Sequence, residues 1–105
     1  MLSFMVRDKA YYSKGQLSKL ISEGNVLVTE QARKSAQNDF GWNLNDICRA
    51  LQAMPVKFCY KSEPRFNNPK IWVDYYRAHG LKGENVYTHF YVENGKLIID
   101  SFKEI

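Results

Sequence analysis

"VYTHFYVENGKLIIDSF", residues 86–102, decides the architecture. Side chains alternate along a strand, so Val86, Thr88, Phe90 and Val92 share one face and Tyr87, His89 and Tyr91 the other. The first set suits a core. The second is amphipathic and rich in hydrogen-bonding groups, an odd choice for a dry interior. Between this run and "KLIIDSF" stands Asn94-Gly95, a pair that tolerates the positive φ angles of a tight hairpin turn. The spacing therefore predicts two antiparallel strands with one apolar and one polar face.

Upstream, "KIWVDYYR" alternates Ile71, Val73 and Tyr75 against Trp72, Asp74 and Tyr76. "VKFCYKS" alternates Val56, Phe58 and Tyr60 against Lys57, Cys59 and Lys61. "EPRFNNP" and "AHGLKGEN" read as loops. This gives an antiparallel sheet of about four strands.

Before Pro55 the period is helical. Ser13 and Gln16 fit a capping box, with Tyr12 and Leu17 as its apolar staple and Gly24 as the stop. "NVLV" is a short extended piece. Thr29 caps a second helix in which Ala32, Ala36 and Phe40 recur every fourth residue before Gly41. Asn43 caps a third, stapled by Trp42 and Ile47, with Leu44, Ile47, Cys48 and Leu51 as its buried stripe. Three N-terminal helices on a mainly antiparallel sheet make an α+β fold, expected here as one domain over residues 1–105. The helices must cover one sheet face and leave the other, or part of it, free for function.

Composition sets outer limits. The 105 residues are 45% hydrophobic and 25% charged, as in ordinary globular chains, with a formal net charge of +4. Mild basicity permits a nucleic-acid partner without demanding one. The opening "MLSFMVRDKAYYSKG" has no apolar run followed by a small-residue cleavage site, and no stretch is long enough to span a bilayer, so a cytoplasmic protein without membrane contact is expected. Cys48, Cys59, His79 and His89 lack metal-ligand spacing, so neither a metal site nor a cofactor is expected, and both thiols read as reduced.

A sheet can gather Lys61, Lys103, Tyr87, His89 and Arg77 on its polar face despite their distance in sequence. The plainer reading also holds for each alone: strand-end lysines commonly guard sheet edges, and alternating tyrosines commonly pack with a wet hydroxyl. On residues alone this is a basic α+β domain suited to RNA.

The order of several motifs goes further. "LSKLISEGNV", "DICRAL", "FCYKS", "IWVDYYR", "NVYTHF" and the final "SFKEI" together resemble the MqsR family of bacterial toxins, from about Leu17 onward. The first dozen residues lie outside that resemblance, and no function is read from them. The resemblance implies a RelE-like fold and a metal-free, ribosome-independent endoribonuclease that cleaves mRNA at GCU-like triplets. It implies working residues at Lys61 in "YKS", Tyr87 in "VY" and Lys103 in "SFKE", with Arg77 and Tyr60 near them. The chain departs from the family's best-known member at Val73, Glu63 and His89, where that protein has glutamine, methionine and lysine.

The chemistry fits these side chains. Metal-free cleavage needs a base for the 2′-OH, an acid for the leaving 5′-oxygen and cations around the phosphate. Lys61, Lys103 and Arg77 can supply cations, and Tyr87 or His89 can share proton transfer. Tyr60 and Trp72 can stack bases, with Glu63 and Arg65 beside them as RNA contacts. The family resemblance also implies a cognate MqsA-like antitoxin, a zinc-binding, DNA-binding dimer through which alone DNA would be met. Two alternatives stay open: a non-catalytic single-stranded RNA-binding module, and a ribosome-dependent RelE-type nuclease.

Overall fold

The computed structural model describes residues 6–105; residues 1–5 of the opening segment lie outside it. The order is α1 (Lys14–Ser22), β1 (Val26–Val28), α2 (Glu30–Phe40), α3 (Leu44–Ala53), β2 (Cys59–Pro64), β3 (Trp72–Leu81), β4 (Glu84–Glu93) and β5 (Lys96–Glu104). The fold is α+β, three helices followed by a mostly antiparallel sheet. Among the described residues no helix is long and apolar enough to cross a membrane.

The helices start where their caps dictate. The Ser13 side chain accepts from the Gln16 N–H, Thr29 from Ala32, and Asn43 and Asp46 cap each other reciprocally. Gly41 closes α2 in the left-handed region at φ 72°, which an L side chain adopts only with strain. The buried stripe of α3 is Ile47, Ala50 and Leu51, continued by Met54; Leu44, expected within it, is 49% exposed. Leu44 is the first helical residue and lies before the turn that meets the core.

The sheet has five strands in the order β1-β5-β4-β3-β2, one more than the four expected. The addition is the "NVLV" segment, which pairs parallel with β5 from Val26↔Leu97 to Val28↔Ile99. Three residues with a partner so distant in sequence carry no local signal of pairing. Two loops are also shorter than expected. β3 runs on through Ala78 and Leu81, both buried, and turns on Lys82 and Gly83 at φ 49° and 83°. β2 includes Glu63 and Pro64. In the opposite sense, Val56–Phe58 forms a 3₁₀ turn after Pro55 rather than the start of a strand.

Val86, Thr88, Phe90, Leu97, Ile99 and Phe102 are fully buried on the face that the helices cover. The same face holds Asp74, a carboxylate at 0% exposure. Its oxygens accept from the Tyr11 N–H at 2.9 and 3.1 Å and from the Tyr12 N–H at 3.0 Å. Burial raises the carboxyl's pKa, while these N–H donors favour its charged form. The carboxylate thereby ties the chain before α1 to β3. Arg7 adds a backbone bridge to Ser62 on the outer edge of β2.

Removing this anchor strands two backbone donors. Asp74→Ala should destabilise the fold by about 2–4 kcal/mol in denaturant unfolding. A loss below about 1 kcal/mol would show that the arm is held by other contacts.

Candidate active site

Strict alternation would keep Lys61 off the polar face. Cys59 faces the core, so Lys61, two residues on, would face it too. The pairing steps from Cys59↔Tyr76 directly to Lys61↔Tyr75, which leaves Tyr60 as an extra residue in a β-bulge. Tyr60 and Lys61 therefore both reach the open face, while Cys59 and Ser62 stay buried. This corrects the reading that set Lys61 beside Cys59 and opposite Tyr60. A second bulge lies on β5: His89 pairs with Ser101 but Phe90 with Ile99, so Asp100 is extra. Asp100 joins the open face, and Ile99 returns to the core.

Both bulges flank one cross-strand row, Lys61–Tyr75–His89–Ser101, and the row Arg77–Tyr87–Lys103 lies nearby. The two rows gather the expected Lys61, Tyr87, Lys103, Arg77 and His89. Each cation of this face lies over a tyrosine ring: Lys61 Nζ is 4.5 Å from the Tyr75 centroid, Arg77 Cζ 4.4 Å from Tyr60, Lys103 Nζ 5.5 Å from Tyr87 and Arg65 Cζ 4.1 Å from Tyr91. Lys61 also approaches Glu63 at 3.4 Å and Arg65 approaches Glu93 at 3.5 Å. Of the expected RNA contacts, Tyr60, Glu63 and Arg65 share this surface.

Trp72 does not. It alternates with Asp74 on the helical side and stacks on Tyr11 at 5.2 Å and 8° between planes. Its ring is part of the arm's anchorage and stands apart from the open-face cluster. Asp100 and Tyr75 were not expected there. Asp100 becomes visible only through the bulge, and Tyr75 could have been found from its place between Val73 and Arg77.

The central contact joins proton donors and acceptors. The Tyr87 hydroxyl lies 2.8 Å from His89 Nδ1, and His89 Nε2 lies 3.6 Å from Asp100 Oδ2. Burial lowers the pKa of His89; Asp100 opposes this, while Lys103 and Lys61 add to it. The imidazole is thus neutral at pH 7. The carboxylate draws the ring proton to Nε2, leaving the Nδ1 lone pair to accept from Tyr87. Burial, reinforced by Tyr60 and Tyr75, pushes the Tyr87 phenol up to about 12, so it carries its proton. Tyr75 is likewise pushed up to about 12 by burial and by Glu63. By contrast, burial pushes the Cys59 thiol up to about 11, which leaves it a protonated, unreactive core group.

These neighbours act on His89 in opposite directions. In an NMR titration its imidazole should have a midpoint below 6.5. Asp100→Asn should lower the midpoint further, because a carboxylate that favours the imidazolium is lost. Lys103→Ala should raise it, because a repelling cation is lost. A midpoint that ignores both substitutions would break the assignment.

A family model described as motility quorum-sensing regulator, toxin of MqsA, matches residues 9–104. No curated protein matches the chain. The matched range holds every side chain of the open-face cluster and reaches back before Leu17 to take in the Tyr11–Tyr12 arm. With nearly its whole length matched, the chain belongs to the MqsR family of toxins.

Proposed function

We propose that the chain is an mRNA-cleaving endoribonuclease that needs neither metal nor ribosome, held in check by an MqsA-type antitoxin protein. The observation that carries this reading is the convergence of three cations and a Tyr87–His89 proton-transfer pair on one open sheet face. Metal-free cleavage requires a base, an acid and charge stabilisation, and this face offers side chains for each.

In the proposed reaction the 2′-oxygen bonds to phosphorus and the P–O5′ bond breaks. The 2′-OH proton moves to Tyr87 Oη as the phenol's own proton passes to His89 Nδ1. Asp100 steadies the resulting imidazolium. The leaving 5′-oxygen takes a proton from the Lys61 or Lys103 ammonium, and Arg77 with the remaining lysine holds the phosphate oxygens. The products are a 2′,3′-cyclic phosphate and a 5′-hydroxyl. A third lysine, at the position of His89, would lack the acceptor nitrogen that this route uses.

Expression of the chain alone should arrest bacterial growth, and Lys61→Ala should relieve the arrest while keeping the fold. On purified single-stranded RNA the same substitution should slow cleavage at least about a hundredfold. A folded Lys61→Ala variant as toxic as the parent would remove Lys61 from the site. A variant that binds RNA without cleaving it, alongside a parent that does the same, would favour an RNA-binding module instead.

Because side chains alone supply the chemistry, EDTA should leave the cleavage rate of the purified protein unchanged. Loss of cleavage restored by a divalent ion would overturn the mechanism.

A further inference from the structure

A surface that binds RNA gains from cations and loses from carboxylates, because the phosphates carry negative charge. Glu63, Glu93 and Asp100 nevertheless lie among the cations of the open face. Asp100 meets His89, where the proposed reaction uses it. Glu93 meets Arg65 farther along β4, next to the hairpin turn. Glu63 has no such task, and it takes the cation of the central row: its Oε1 lies 3.4 Å from Lys61 Nζ.

Lys61 thus has two partners, Glu63 and the Tyr75 ring, whose centroid is 4.5 Å from Nζ. The Tyr75 ring in turn lies 5.1 Å from the His89 ring. It therefore keeps the ammonium close to the Tyr87–His89 pair whichever anion the ammonium meets. The two partners differ in kind. A ring face attracts a cation without using up its hydrogen-bond donors, whereas a carboxylate takes a donor with the same kind of oxygen that a phosphate offers. Glu63 stands where an RNA phosphate oxygen would bind.

Two further observations make this contact exchangeable. The Lys61 and Glu63 side chains are 36% and 31% exposed, and an ion pair that wet contributes little. The carboxylate also has a second donor beside it. Burial and Glu63 together push the Tyr75 phenol up to about 12, so its hydroxyl keeps a proton to donate. A carboxylate released from Lys61 need not stay unpaired beside the phosphate.

We infer, on the reading of this face as an RNA-cleaving site, that Glu63 is a built-in competitor for Lys61: it holds the ammonium while no RNA is bound and yields it to a substrate phosphate by turning to the Tyr75 hydroxyl. Glu63 is thus a positioning residue, which acts on the substrate through Lys61. Its return to the ammonium displaces the cyclic phosphate after cleavage.

A double-mutant cycle on binding tests this. A short 2′-O-methyl RNA of mixed sequence lacks the attacking hydroxyl and is bound without being cleaved. Fluorescence anisotropy is read at about 0.15 M salt, where repulsion across more than about 8 Å is screened. Glu63→Gln, which keeps the shape and loses the charge, should bind the oligomer about fivefold more tightly than the parent. In a Lys61→Met background, which keeps an apolar stem against Tyr75, the same substitution should change the affinity by less than about twofold. Lys61→Gln replaces Lys61→Met if circular dichroism shows the latter misfolded. Equal gains in both backgrounds would mean that Glu63 repels RNA through space without Lys61, and would overturn the competition. A Glu63→Gln protein that binds no better than the parent would overturn it too. Cleavage of ordinary RNA by the parent is measured in parallel. Coupled binding without cleavage leaves the competition standing and removes the nuclease reading. Cleavage with uncoupled binding does the reverse.

Discussion

A β-strand shows every second residue to each face, and the open-face cluster depends on breaking that rule twice. Tyr60 and Lys61 are adjacent in sequence, as are Asp100 and Ser101, yet each pair lies on one face. Each bulge costs ladder regularity on its strand. In return, the core sequence on either side stays in phase: Cys59 and Ser62 are buried around the first, Ile99 and Phe102 around the second. Removing the extra residue at either bulge would restore strict alternation with both core segments in phase and leave the open face one side chain poorer. The two irregularities border the same cross-strand row, so the sheet is locally doubled on both sides of Tyr75 and His89.

The clustered cations raise a physical difficulty, because like charges close together repel. Here each lies on the electron-rich face of a tyrosine, which attracts a cation without neutralising it. Ion pairing is sparse by comparison: Glu63 reaches Lys61 and Glu93 reaches Arg65, while Arg77 and Lys103 meet no carboxylate within salt-bridge distance among the described residues. The rings also fix the directions of flexible side chains. An incoming phosphate would meet charges already positioned, which lowers the entropy cost of binding it.

Much of the fold was legible because its signals are local. The caps at Ser13, Thr29 and Asn43 act over three residues, and the Asn94-Gly95 turn needs only two. The alternation of Val86, Thr88 and Phe90 separated the buried face from the open one correctly. What escaped depends on partners remote in the chain. The β1 pairing, both bulges and the role of Asp74 are settled by strands that meet only after folding. For the same reason Trp72 looked available for stacking until Tyr11 covered it, and Asp100 gave no sign of joining His89. Alternation set Tyr87 and His89 together on the polar face, whereas motif order singled out Lys61, Tyr87 and Lys103, with Arg77 near them.

The position of β5 between β4 and β1 bears on how the protein is made. It is the last strand in chain order, and it supplies Leu97, Ile99 and Phe102 to the core as well as Asp100 and Lys103 to the open face. During synthesis the helices and β1 emerge first, but β1 has no neighbour and α2 no sheet surface until β5 leaves the ribosome. A nascent chain or an early-terminated fragment would hold most of the residues and none of the assembled face. The open face would then assemble late and all at once, when β5 joins the sheet.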